Sequence, residues 1–150
     1  MNQTAKFFLI TLSMLALFNV MFVPIFDVWG GLFPKDTTHT FFDVMEIVFI
    51  DVDTDAWSLW VVQLTMSIFI PSILMLFASL IESKVLFITF NVVGIFLLSE
   101  KIYKFIQQHS DLNNLFSDDC CLSIGTWIGL AIFLVSFLVA LGSKKADQTF

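Results

Sequence analysis

Four long apolar runs, separated by polar and charged segments, set the pattern of this chain: Phe7 to about Phe26, Trp57 to Ile81, Val85 to about Ile106, and Leu122 to Gly142. A bilayer core of roughly 30 Å is crossed by about 20 apolar residues in helical form. The first, second and fourth runs meet that length directly. The third holds fifteen uncharged residues, Val85 to Ser99, before Glu100 and Lys101. The next turns complete it, because Leu98, Ile102, Phe105 and Ile106 recur at helical spacing on one face. Glu100 stands four residues before Lys104, the favourable order for an ion pair along a helix, and Tyr103 suits the headgroup level. This helix is predicted to emerge from the membrane and continue to about Gln108.

The pattern predicts an all-α membrane protein, a four-helix transmembrane bundle forming one domain, with outer loops at about 27–56 and 107–121. Glu82, Ser83 and Lys84 make a tight turn, so the second and third spans form an antiparallel hairpin. Lys6 and the first apolar run resemble a secretory signal, but the run is too long and lacks a small-residue cleavage site. Pro24 and Asp27 end it, which reads as an uncleaved anchor. Orientation follows the lysines. With both termini cytoplasmic, Lys6, Lys84, Lys144 and Lys145 lie inside and Lys35, Lys101 and Lys104 outside. The expectation is a multi-pass protein of the cell or plasma membrane with both ends inside.

Composition decides the solvent. Of 150 residues, 58% are hydrophobic and 13% charged, with a mean hydropathy of +0.92; a soluble domain carries about 25% charged residues. At this length no interior holds 19 Phe and 4 Trp together with the aliphatic residues, so lipid must cover the excess. A soluble enzyme, a disordered chain and a secreted disulfide scaffold are excluded. The net charge is −6 with no Arg, which removes the basic surface that nucleic acid requires. The expected partners are the lipid bilayer and another membrane protein or a second copy of this chain, with no cofactor.

The outer segments hold most of the polar chemistry. Thr40 can cap a short amphipathic helix with Asp43 three residues on. Phe41, Met45, Val48 and Val52 then share one face and Asp43 and Glu46 another. The apolar face is expected to rest across the top of the bundle or on a partner. A strand from Ile50 to Asp55 competes with its last turn. Asp51, Asp53 and Asp55 alternate like the first ligands of a calcium loop, but Ala56 and Val62 stand where Gly and Glu belong. They read first as a helix cap and solvated charges, and second as a weak cation site. Cys120 and Cys121, beside the fourth span, read as structural or intermolecular thiols. A strained vicinal disulfide acting as a redox switch and a metal site with His39, His109, Asp118 and Asp119 are the alternatives. In the inverted orientation the two cysteines become palmitoylation candidates.

No ionisable residue falls in the middle of any span, where transport or catalysis would need one. The polar residues there are Asn19, Gln63 and Asn91, with Ser, Thr and Pro71 beside them. The amides read as interhelical hydrogen-bonding groups or as the lining of a pathway. Pro71 removes one backbone bond and is expected to kink the second span. Gly125 and Gly129, four apart, allow close approach of another helix, the first or third span or a second copy.

Trp29-Gly30-Gly31-Leu32-Phe33 resembles the opening of the claudin first-loop signature, though the two cysteines expected later in that loop are missing. Cys120-Cys121 resembles the cysteine pair of tetraspanins, with Leu122 in place of the following Gly. Neither covers enough of the chain to carry a function over, and a quinone-linked thiol oxidoreductase would need Cys-x-x-Cys. With no nucleophile–base pair and no phosphate loop, the leading expectation is a non-enzymatic accessory, scaffold or interaction subunit acting through acidic outer loops. A small-molecule or ion transporter or channel component comes second, and a thiol redox or metal-responsive protein third.

Overall fold

The computed structural model describes residues 3–28, 37–39, 41–42, 56–111 and 120–143. Among them are four long helices: α1 (Gln3–Phe22), α2 (Ala56–Leu80), α3 (Lys84–Asp111) and α4 (Ile124–Gly142). Each contains a stretch long and apolar enough to cross a membrane. α1 packs against α2 and α4, and α3 packs against the same two, so the helices form a square of antiparallel neighbours. Large apolar side chains also face outward along every helix, among them Phe7, Phe18, Phe77, Phe96 and Leu138. A protein surface of that kind is covered by lipid or by another apolar partner.

α1 stops at Phe22, four residues short of the expected limit. The residue before a proline is driven out of the α region, so Val23 cannot carry the helix into Pro24. The chain turns instead into β1 (Phe26–Val28), which pairs antiparallel with β2 (Thr37–His39) on one side and β3 (Cys120–Leu122) on the other. This three-stranded sheet is an addition to the helical pattern read from sequence. It ties the segment after α1 to the segment before α4 and marks one end of the bundle, the sheet end.

The opposite end is built by the turn between α2 and α3. Glu82 adopts a left-handed φ of 60°. The Ser83 amide donates to Ala78 at 3.0 Å and the Glu82 amide to Ser79 at 3.2 Å, a bond pattern that closes a helix C-terminus. Ser83 then starts α3: its carbonyl accepts from the Phe87 amide and its hydroxyl from the Leu86 amide at 3.4 Å. Three residues therefore end one helix and begin the next. Lys6 of α1 pairs with Glu82 at 2.6 Å, and the Lys84 ammonium donates to the Ser143 carbonyl at 2.6 Å, placing a cation at the C-terminus of α4, where the helix dipole favours it.

The core runs through the square: Leu9, Ala16 and Val20 from α1, Leu64, Ile68, Met75 and Ala78 from α2, Phe87 and Leu98 from α3, and Phe133 and Ala140 from α4. α2 continues through Pro71 as one helix. Phe41 and Phe42 are helical and lie against the side of the bundle. The Phe41 ring meets Phe69 of α2 at 4.6 Å between centroids, and Phe42 meets Phe22 of α1 at 6.1 Å. The rest of the expected outer-loop helix, and the competing strand up to Asp55, lie outside the described residues.

Candidate functional site

The polar residues between the helices separate into three groups along the bundle axis. The first is a latch at the sheet end. The Pro24 carbonyl, freed when α1 stops, accepts from the Gly125 amide at 3.0 Å, and the Ile25 carbonyl accepts from the Ser123 amide at 3.1 Å. The Thr126 hydroxyl donates to the same Ile25 carbonyl at 2.7 Å. Asn19 completes the set by donating its side-chain amide to the Gly125 carbonyl at 2.7 Å. Two donors at the start of α4, of the kind that every helix leaves orphaned, are thus satisfied by the exit segment of α1. Gly125 permits this because a Cβ there would lie 2.3 Å from the Pro24 oxygen. A Cβ at Gly129 would lie 3.2 Å from Ile68 and 3.4 Å from the Asn19 amide nitrogen. Both glycines are buried inside the monomer, turned toward α1 and α2 and away from the outer surface.

The second group is polar and exposed. Gln63 of α2 accepts a hydrogen bond from Lys101 of α3 at 2.6 Å, and Lys104 pairs with Glu100 one turn away. These groups sit toward the sheet end of the α2–α3 pair.

The third group lies deeper. A central layer is formed by Pro71, Gly94 and Phe133, where a Cβ built on Gly94 would stand 2.9 Å from Pro71 and 3.0 Å from the Phe133 ring. Gly94 is therefore the contact residue that lets α2, α3 and α4 close together, a role the expected small-residue motif on α4 did not point to. One turn from this layer toward the α2–α3 turn are Asn91 and Ser136, both fully buried. Neither side-chain atom of the Asn91 amide has a hydrogen-bond partner, and neither has the Ser136 hydroxyl. By contrast, Ser13, Ser72 and Ser79 turn their hydroxyls back onto carbonyls of their own helices at 2.6–2.9 Å, the usual refuge of serine in an apolar helix.

Asn19, Gln63, Asn91 and Pro71 are thus not gathered around one chamber. Asn19 serves the latch, Gln63 faces outward to Lys101, Pro71 is part of an apolar layer, and Asn91 lies beyond that layer. Cys121 and Cys120 are consecutive residues of β3, in register with Asp27 and Val28. Asp51, Asp53 and Asp55 lie outside the described residues, as do Asp118 and Asp119. Among the described residues no three His, Cys, Asp or Glu side chains stand together as a metal site. Outside the spans, Glu82 has its carboxyl held below the ordinary glutamate range, first by the hydrogen bond from Lys6 and then by that ammonium's charge.

The chain matches no protein-family model, and no curated protein or solved structure is similar to it.

Proposed function

We propose that this chain is a non-enzymatic multi-pass membrane protein that acts as an accessory, scaffold or interaction subunit, with the cell or plasma membrane as its site and both termini cytoplasmic. The observation that carries the reading is how the polar side chains are used. Around the sheet end they join helices to one another, as Asn19 and Thr126 do. Six charged ones each have a polar partner: Lys6, Glu82 and Lys84 around the turn between α2 and α3, and Glu100, Lys101 and Lys104 on the sheet-end half of α3. A bundle so arranged offers its apolar flanks to lipid and its acidic outer segments to another protein.

Crosslinking in the native membrane followed by co-purification tests the proposal. A discrete heteromeric or homomeric species is the expected product; recovery of monomer alone, under conditions that capture a known complex, refutes it. Orientation has its own test. A tag appended after Phe150 should resist protease added to intact cells and be cut in inverted vesicles.

A second reading, a pathway for a small molecule or ion, draws support from the unpartnered Asn91 and Ser136. Against it stands the tight contact at Gly94, where even one added carbon would crowd Pro71 and the Phe133 ring.

A further inference from the structure

α3 and α4 run antiparallel in a register that two separate contacts define. Lys84 meets Ser143; ten residues further along α3 and ten back along α4, Gly94 meets Phe133. In the same register Asn91 is level with Ser136, and Phe87 is level with Ala140. Among the described residues, Asn91 and Ser136 are the two at this level that are fully buried and present polar side-chain atoms without a hydrogen-bond partner. They occupy one storey of the bundle, bounded on one side by Phe133 with Gly94 and Pro71 and on the other by Phe87 with Ala140. All of these bounding residues are buried. Met75, fully buried, is the core residue of α2 nearest this storey.

An amide carries two donors and an acceptor with two lone pairs, and a hydroxyl one donor and two lone pairs. Buried polar groups in proteins almost always find partners, and in an apolar surround the penalty for not doing so is high. The serines at 13, 72 and 79 escape it through their own helix carbonyls, whereas Asn91 and Ser136 do not. Two buried groups level with each other on adjacent helices, each left with donors and acceptors, mark a place for a third molecule that bridges them.

We infer that Asn91 and Ser136 form an occluded binding site between α3 and α4 for a small uncharged molecule that both donates and accepts hydrogen bonds, of which water is the smallest. The chemistry selects a neutral guest. Lys84, the charged side chain of α3 closest to the site in sequence, lies seven residues from Asn91, roughly 10 Å along the axis, and its ammonium is occupied with the α4 carbonyls. An ion at the site would therefore lack a countercharge. The buried apolar layers on both sides make exchange of the guest depend on side-chain motion. The inference is independent of whether a partner protein binds, so a monomeric result in the crosslinking test leaves it standing.

Solid-state NMR of the full chain in lipid bilayers, labelled with ¹⁵N-asparagine, tests it through magnetisation transfer from water. The expected result is a water cross-peak at the Asn91 side-chain amide, weakened in Ser136→Ala; Ser136→Cys serves if the alanine variant does not fold. Titration with methanol and formamide distinguishes the source of the guest. Persistence of the water cross-peak marks water as the resident, while its loss with a dose-dependent shift at Asn91 marks a small solute; either supports the site. Absence of both water transfer and solute response at Asn91 overturns the inference. So does a cross-peak unchanged by both Ser136 substitutions, or a response of Asn91 to potassium or chloride alone.

Discussion

Replacing Gly125 with alanine puts the packing of α4 to its most direct test. The added Cβ would stand 2.3 Å from the Pro24 oxygen, 3.0 Å from the Pro24 carbonyl carbon and 3.2 Å from the Val23 oxygen. All three are backbone atoms, which cannot swing aside as a side chain does. Ordinary non-bonded contact needs about 3.5 Å, so α4 must retreat by roughly 1 Å. That shift stretches the bonds gathered there: Gly125 to Pro24 at 3.0 Å, Ser123 to Ile25 at 3.1 Å, Asn19 to Gly125 at 2.7 Å and Thr126 to Ile25 at 2.7 Å. Interhelical bonds in membrane proteins average about 0.6 kcal/mol, and buried ones in general about 1 kcal/mol. Losing the set should cost about 2–4 kcal/mol. The assay is reversible unfolding in mixed micelles of rising denaturing-detergent fraction, followed by circular dichroism. Two other glycines of the same helix supply the scale. Gly129→Ala meets the flexible end of Ile68 at 3.2 Å, and Gly142→Ala meets nothing within 4 Å. The order of destabilisation should run Gly125, then Gly129, with Gly142 neutral or slightly stabilised by alanine's helix propensity. A Gly125→Ala protein that unfolds together with Gly142→Ala would refute the close approach and the latch built on it.

The turn between α2 and α3 supplies two further tests. Lys6 holds the Glu82 carboxyl below the ordinary glutamate range, so the unfolded chain takes up the proton more readily than the folded one. That contribution is complete above the usual glutamate pKa of about 4.3 and disappears as pH falls through the lowered folded value. The wild-type unfolding midpoint should drop across that window, and Glu82→Gln should remove this part of the drop; an unchanged pH profile in Glu82→Gln would count against the pair. Because Glu82 has φ 60°, a conformation that glycine adopts without strain, Glu82→Gly should unfold at a higher detergent fraction than Glu82→Gln. Equal midpoints would show that the turn relaxes around residue 82. In the central layer, Gly94→Ala should destabilise by about 1–3 kcal/mol through overpacking against Pro71 and Phe133. Phe133→Leu should recover part of that loss in a double-mutant cycle, whereas strictly additive effects would mean the two residues do not share the layer.

The helices are legible in the sequence because each is written over about twenty residues, long enough for composition alone to register. The strands are not. β1, β2 and β3 hold three residues each, too few for alternation to stand out from a loop, and β1 pairs with β3 across most of the chain's length. Pro24 is recognisable as the stop of α1. That the carbonyls it frees receive the first turn of α4 depends on tertiary contact and has no local signature. Asn19 and Asn91 look alike in sequence, each an amide in an apolar run. Only packing separates them, giving Asn19 the Gly125 carbonyl and leaving Asn91 without a partner. Gly94 escapes notice in the sequence because it has no small residue four positions away; its partners, Pro71 and Phe133, belong to other helices.

Lipid changes which of these contacts matters most. Between helices in hydrocarbon the hydrophobic effect gives little preference, so association rests on close packing and hydrogen bonds. On the membrane reading, α4 is then held in two different ways at its two ends. The sheet end fixes it to α1 through backbone bonds and the Asn19 amide, whereas the other end is held by the flexible Lys84 side chain reaching the Ser143 carbonyl. Between the two lies the storey of Asn91 and Ser136, where α3 and α4 face each other without a direct polar bond. A helix clamped at one end and tethered at the other moves most easily about the clamp, so the Asn91–Ser136 level, further from the latch than the Gly94–Phe133 contact, is the part that opens. Guest exchange and displacement of the α4 C-terminus are then one motion. Removing the tether with Lys84→Met should speed exchange at Asn91, read from the build-up rate of its water cross-peak, while leaving the latch around Gly125 intact. An exchange rate unchanged by Lys84→Met would break the link between the tether and the site.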